Sequence, residues 1–352
     1  VRRHACIVAT MAVAAVSLFP TPPAAQDPFE RVVYDRFDAM AFPRGIRALG
    51  MGVTGTGDAG DPANVYYNPA VLAYGPGIGL TGGTNNWTSG FDIGDMGVSA
   101  TYPSVSSAGP AWHVGAGIRY VNMDFAGTDS VQPTAIGIPP PANSFSDWYL
   151  ASTLAGGYSS GNFDLGAGFA VKYLDASQIE GVEFSSWTYD VGALVKYTYH
   201  RQDGLDVVTS GGVSGLSLGS GDSGPDAIEP VEQLRAGLGL RVEAMGLDES
   251  GERAKPRTPI LAIAVNGEVV DYVDSDRDVG SGVGVEMSLV DIMSIRYGYA
   301  DSQYAFDYGQ TFGGGLGYGW GRAYFRFDFA LAFETNLSKN ISSIGLLLEF
   351  DL

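Results

Sequence analysis

Few stretches of this 352-residue chain carry residue types at spacings that could do chemistry. Gly50-Met51-Gly52-Val53-Thr54-Gly55 fits the GxGxxG pattern that lets a helix N-terminus meet a pyrophosphate. The next residues are Thr56-Gly57-Asp58-Ala59-Gly60-Asp61-Pro62, a poor start for the helix that pattern needs, so nucleotide binding is set aside. Asp274, Asp276 and Asp278 imitate the opening of a calcium loop. The loop glycine arrives late at Gly280, however, and Val285 stands where a bidentate Glu belongs, which leaves a solvated acidic loop. Of the histidines, His4 precedes the N-terminal apolar run, leaving His113 and His200, far apart and without a cysteine nearby. That excludes a zinc spacing and gives no nucleophile–base pair in sequence. The chain is therefore expected to be no enzyme, with no catalytic residue, no metal site and no cofactor.

Composition points elsewhere. Fifty glycines, nineteen tyrosines and no sustained helical period favour an all-β chain with many tight turns. Arg2 and Arg3 precede an apolar run from Cys6 to Phe19, then Pro20-Thr21-Pro22-Pro23-Ala24-Ala25. Basic, apolar and small residues in that order predict a secretory signal peptide over 1–25, since the apolar run is too short to span a bilayer. The lone Cys6 lies inside that run, so no disulfide framework is expected in the exported chain. A net charge of −19 repels phosphate backbones and argues against nucleic acid as a partner.

Hydropathy shows no later run of roughly 18 apolar residues, but the period-2 pattern tells a different story. Phe325, Phe327, Phe329, Leu331 and Phe333 share one strand face; Tyr324, Arg326, Asp328 and Ala330 share the other. Trp112, Val114, Ala116, Ile118 and Tyr120 oppose His113, Gly115, Gly117 and Arg119, and Leu234 to Val242 alternate with Arg235, Gly237, Gly239 and Arg241. Apolar faces with aromatic ends, opposed to glycine and isolated charges, are the mark of a transmembrane β-barrel in an outer membrane. Such a barrel closes so that every strand's backbone is satisfied in lipid. Strands are expected near 77–86, 94–102, 111–123, 148–158, 162–175, 184–199, 207–218, 230–246, 258–271, 282–290, 293–300, 310–319, 322–333 and 341–351. The shortest connections (Ser159-Ser160-Gly161, Asp291-Ile292, Trp320-Gly321) alternate with long ones such as Asp124–Asp147, as periplasmic turns and outer loops do.

The barrel occupies 76–352. Before it come an N-terminal periplasmic segment, 26–43, and a Gly-rich stretch, 44–75, with neither helical nor strand period, which is expected to be a plug or hatch. In that stretch Asn68-Pro69 makes a rigid corner, because the residue before a proline avoids the helical region and Pro pins its own φ. Gly50 and Gly52 let the backbone pass close to a barrel wall. The residues placed nearest the plug and any ligand are Gly50, Gly52, Tyr66, Tyr67, Asn68, Pro69 and Ala70. On the wall, His113, Arg119, Arg241, Glu286, Arg296, Arg326 and Asp328 line a glycine-rich lumen. Charges inside a low-dielectric wall pair with one another or with a plug. The residues leave open whether this set stiffens the barrel or lines a substrate path.

Arg47-Ala48-Leu49-Gly50-Met51-Gly52, then Asp61 to Val65, Tyr66-Tyr67-Asn68-Pro69-Ala70 and Leu72-Ala73 resemble the N-terminal signature of the PorV/PorQ and FadL-like outer-membrane proteins. Val285 to Leu289, Ile295-Arg296-Tyr297-Gly298-Tyr299 and Thr311 to Leu316 resemble the PorV/PorQ branch in particular. The resemblance implies a fourteen-stranded barrel with its N-terminal segment in or under the lumen. From the PorV/PorQ branch it implies protein secretion or cell-surface attachment, with exported proteins or a secretion machine as partners beside outer-membrane lipid. From the FadL branch it implies passage of a hydrophobic small molecule through a lateral opening.

Overall fold

The computed structural model describes residues 44–59, 61–75, 77–87, 91–103, 110–125, 145–178, 182–201, 204–219, 231–245, 259–273, 279–290, 292–301, 308–334 and 340–350, which lie within one compact unit. The signal-peptide and 26–43 expectations and the acidic stretch at 274–278 fall outside these residues. Fourteen antiparallel strands form a closed barrel in sequential order, with β1 pairing β14. They are β1 Ile78–Trp87, β2 Phe91–Pro103, β3 Ala111–Phe125, β4 Phe145–Ser160, β5 Phe163–Gln178, β6 Val182–His200 and β7 Leu205–Leu218. The second half is β8 Gln233–Met245, β9 Pro259–Tyr272, β10 Gly280–Leu289, β11 Met293–Asp301, β12 Tyr308–Trp320, β13 Ala323–Glu334 and β14 Asn340–Phe350. Every strand end lies within three residues of its expected position.

The alternation read from the sequence decides which way each strand faces. Trp112, Val114, Ile118, Leu238, Phe327, Phe329 and Leu346 are exposed on the outside, while Arg119, Arg235 and Asp328 on neighbouring parities are buried inside. A one-residue slip would put these charges in hydrocarbon, so the register is strongly fixed. Aromatic pairs mark the outer face of β3–β6 at two levels. Trp112 and Tyr158 meet at 4.9 Å near the short turns; Tyr120, Trp148, Tyr173 and Trp187 form a run at 6.1, 5.7 and 5.0 Å toward the long connections. Trp148 and Tyr158 stand ten residues apart on β4, which at ~3.3 Å per residue and a tilt of ~40° is about 25 Å, the height of a lipid-facing band.

Register within the wall shifts between β6 and β7, where Tyr189 pairs Leu218 but Val191 pairs Gly215. The extra residue on β7 is a bulge. Ser217 takes φ 57°, and its N–H donates to Asp190 Oδ1 at 2.8 Å, while Asp190 also holds Lys172 Nζ at 2.8 Å. The remaining shifts fall near strand ends, at Tyr308/Thr311 and Ala244/Met245.

The inside of the barrel is not uniform. Toward the long connections the inward residues Ile93, Val121, Met123, Tyr149, Leu174 and Ile341 are buried and join one apolar cluster with Ala48, Leu49 and Val53. The alternation in the sequence predicts an inward face of glycine and charge; this partial collar corrects that expectation on β14 and β2–β5, while Asp147, Ser186 and Thr188 are buried and polar at the same level. Below the collar lies residue range 44–75, and there the inward wall is glycine and charge.

Candidate functional site

The segment from Arg44 to Gly75 is built of short turns rather than regular elements. Helix α1 covers Ile46–Gly50, and two 3-10 turns cover Pro62–Tyr66 and Pro69–Tyr74. Each 3-10 turn opens the same way. Asp61 accepts from Ala63 N at 2.8 Å and Asn68 from Ala70 N at 3.0 Å, with Pro62 and Pro69 in the first turn position, where no N–H is needed. Asn68 is extended, φ −156° and ψ 110°, as the residue before a proline should be.

Asn68 is also where the segment folds back on itself. Its Nδ2 donates to Thr56 O at 3.0 Å and to Ala193 O of β6 at 2.9 Å, and its N–H donates to Asn64 O at 3.0 Å. The side chain is fully buried with its amide oxygen and nitrogen both bonded. Tyr67 is fixed by its hydroxyl, which donates to Arg44 O at 2.5 Å and accepts from Arg44 N at 3.1 Å. Ser214 of β7 donates to Tyr67 O at 2.5 Å, and Thr101 of β2 to Leu72 O at 2.8 Å.

Charged side chains join the segment to the wall at three places. Arg47 donates through Nε and Nη2 to both oxygens of Glu286 on β10, at 2.9 Å each, and also pairs with Asp58. Glu286 accepts in turn from Arg296 Nε on β11 at 2.5 Å, and Arg296 Nη1 reaches Asp328 on β13 at 2.6 Å. Asp328 holds Arg326 Nε at 2.6 Å, and Arg326 pairs with Asp61 back on the segment. The result is an alternating series running Asp58, Arg47, Glu286, Arg296, Asp328, Arg326, Asp61, with both ends on the segment. Burial disfavours the Asp61 carboxylate, but Arg326 and Arg47 outweigh burial and hold the group below its ordinary value of 3.8.

The second place is Glu268 on β9. One oxygen accepts Gly55 N at 2.7 Å and Thr56 N at 2.8 Å; the other takes Arg235 Nε of β8 at 2.6 Å. Arg235 lies over the Tyr67 ring at 4.8 Å. At the third, Arg119 of β3 stacks 3.7 Å from the Tyr66 ring centroid and donates to Ala63 O at 3.3 Å, while the Tyr66 hydroxyl bonds Asp95 of β2.

Between these charges the wall is glycine, because the segment's backbone lies against it. A Cβ at 298 would fall 2.1 Å from Gly52 N, at 284 2.2 Å from Met51 O, at 212 2.1 Å from Thr56 O and at 168 2.4 Å from Pro69 C. Gly50 in turn approaches Gly313 of β12, and Ile46 fills the space above Gly83 of β1 and Gly345 of β14. Gly52 has φ 69° and no room for a side chain, so both demands on it fall on the same residue. With Ala73 and Tyr74 against Gly157 of β4, the segment touches every strand of the barrel. The glycine face, which the sequence alone presents as an open lumen lining, is a seat at this level.

The sequence-nominated wall residues divide accordingly. Glu286, Arg296, Arg326, Asp328 and Arg119 converge on the segment. Arg241 instead pairs with Glu243 at 2.6 Å, part-exposed on β8. His113 meets Ser159 Oγ at 3.0 Å and the Tyr74 ring at 5.7 Å. His200 pairs with Asp206 at a turn, apart from the segment. Glu268, Arg235 and Thr311 make contacts as close as any of these, Thr311 Oγ1 accepting Gly52 N at 3.0 Å. A carboxylate at 268 facing glycine on the same parity was the available signal. Among the described residues no group of His, Cys, Asp and Glu could hold a metal ion.

No family model matches the chain, and no curated protein does. Solved structures do. The TodX monoaromatic hydrocarbon channel of Pseudomonas putida, as its ΔS2 mutant, superposes with a TM-score of 0.51 at 12% identity, covering 89% of this chain and 98% of that one. The Ralstonia pickettii toluene transporter TbuX gives 0.50 at 14% identity over 88% and 98%. The fold matches that of these two barrels. At these identities the likeness concerns architecture, and a Pseudomonas aeruginosa FadL homologue scores 0.45 at 9% identity over 90% and 99%.

Truncating one member of a buried ion network strands its partner, at about 3–5 kcal/mol. Arg47→Ala should lower barrel stability by that order in urea unfolding from lipid vesicles, with Arg47→Lys intermediate because it lacks the fork. Ala substitution at Gly298 should destabilise by about 1–3 kcal/mol or block folding, whereas Gly267→Ala, whose Cβ meets open space, should leave the urea midpoint unchanged. The Asp61 carboxyl, depressed in the folded state, stabilises the protein above its unfolded value of 3.8 and loses that effect as pH falls through the lower folded value. The stability gap between wild type and Asp61→Asn should therefore hold constant from neutrality to about pH 5 and close only below about pH 4.

Proposed function

We propose that the chain forms a passage for hydrophobic small molecules across the outer membrane. The observation that carries this is the apolar collar. It is an apolar stretch of inner wall on β14 and β2–β5, where Val121 and Met123 sit fully buried and inward-facing beside Ile93, Tyr149, Leu174 and Ile341, with Asp147, Ser186 and Thr188 as the polar groups at its level. On the long-connection side of the fastened segment, with its Tyr66 and Tyr67, the packed wall that a solute would have to part is apolar over that arc. The neighbours whose folds match are by name a toluene transporter and a monoaromatic hydrocarbon channel, which supports the same class of solute. The secretion role implied by the PorV/PorQ branch finds no comparable support, so the small-molecule branch is preferred, with no catalytic step in it.

The test is uptake. A deletion strain should accumulate monoaromatic and long-chain hydrophobes more slowly than its complemented parent. Met123→Gln should slow uptake several-fold while the barrel still shows heat-modifiable migration. Uptake at the parental rate by the deletion strain, for both solute classes, would exclude this reading.

A further inference from the structure

Aromatic rings are spread unevenly around the outer wall. Phe, Tyr and Trp make up 12% of the chain, yet Tyr272 is the only one between Tyr199 and Tyr297, a stretch that contains all of β7, β8, β9 and β10. Tyr272 itself points inward and is 3% exposed. Four adjacent strands therefore carry no ring on the lipid-facing parity. The strands on either side do, with Tyr189, Tyr197 and Tyr199 on β6 and Tyr297 and Tyr299 on β11. Among the other strands only β1 shares the lack. A wall that meets lipid crosses two membrane–water interfaces, and Trp and Tyr line both of them. The β7–β10 arc has neither row.

The arc is nonetheless apolar. Val213, Leu234, Leu238 and Val269 are exposed on it, and Asp271, at the long-connection end of β9, is its one outward charge among the described residues. Its relief is a knob beside a hollow. Leu238 on β8 is 72% exposed and stands between its register partners, Gly211 of β7 and Gly267 of β9. A Cβ at 211 would lie 3.2 Å from Leu238 Cδ2, whereas a Cβ at 267 would have nothing within 4 Å. Leu238 thus leans over one glycine and leaves the other uncovered. Such a surface is complementary to itself under a two-fold axis along the membrane normal, each Leu238 entering the hollow over Gly267 of the other copy. Four strands ~4.8 Å apart with about nine membrane residues each present about 600 Å² of flat sheet, which side-chain relief raises toward the ~800 Å² per partner of a stable interface. A water-soluble partner has no access to this band, and the single carboxylate at its edge leaves no like charges opposed at the centre. We infer that β7–β10 pack against the same strands of a second copy within the membrane. The inference rests on the barrel spanning the membrane and is independent of what the barrel conducts.

The test counts copies. The full-length exported protein, with one dye on a C-terminal tag, is reconstituted in phosphatidylethanolamine–phosphatidylglycerol vesicles at high lipid excess, and photobleaching steps are counted vesicle by vesicle. The wild type should bleach mostly in two steps. Gly267→Trp should give several-fold fewer two-step vesicles while keeping heat-modifiable migration, since a methyl group leaves the hollow open and an indole closes it. Gly156→Trp, at an equally open outward glycine on β4, should keep the wild-type count. If Gly267→Trp fails to give a heat-modifiable barrel, Leu238→Ala, which removes the knob, is read in its place. One-step bleaching of the wild type at every lipid ratio would overturn the inference. So would an unchanged two-step count in both arc variants, which would put the contact on another face. A photo-crosslinker at position 238 should, in native membranes, give a product of twice the chain mass; a product joined to a different protein instead would also overturn it.

Discussion

The structure depends on backbone lying directly against backbone inside the barrel. Met51, Gly52, Thr56 and Pro69 rest on Gly284, Gly298, Gly212 and Gly168, at separations that a single Cβ would remove. That closeness has an electrostatic consequence. Peptide groups brought so near the wall need partners away from water, and wall side chains supply them: Glu268 takes two N–H groups, Thr311 one, and Ser214 and Thr101 donate to carbonyls. The arginines and carboxylates then neutralise one another across the contact, with Arg47 and Asp61 as the segment's share. Glycine sets the distance and the charges fix the position.

This arrangement explains why interior character changes with height. Where the segment's backbone lies against it, the wall is glycine and paired charge; toward the long connections, Val121, Met123 and Leu174 on β3 and β5 are large and apolar and cluster with Ala48, Leu49 and Val53 of the segment. A hydrophobic solute held by the collar would face a floor secured at three separate places around its edge. Movement through the barrel would require displacing some of those contacts, and Asn68, which ties the two arms of the segment to each other and to β6, is anchored apart from the Arg47–Glu286 fork on β10.

The strands were legible because a period of two leaves no alternative reading: Phe325 to Phe333 must face hydrocarbon once Arg326 and Asp328 face inward. The rigid Asn68-Pro69 corner was legible for the same kind of local reason. What the sequence could not disclose was pairing across distance. Nothing local links Arg47 to Glu286, or Gly55 to Glu268, and the inward glycines are equally compatible with an open lumen and with a seat until the segment's path is known. The collar was missed because its members are few per strand, Val121 and Met123 on β3 and Leu174 alone on β5, lying beyond the stretches where alternation is strongest. A resemblance read from glycine-rich strands favoured the secretion branch, which shows how little such strands distinguish one barrel from another.

The central claim is that the segment is fastened to the wall through its own backbone. Amide hydrogen exchange, read by mass spectrometry on peptides covering residues 50–57 of the barrel in lipid, tests it most directly. The amides of Gly52, Gly55 and Thr56, bonded to Thr311 and Glu268, should exchange as slowly as those of the neighbouring strands. Exchange at the rate of a free peptide, while the strands stay protected, would contradict the account.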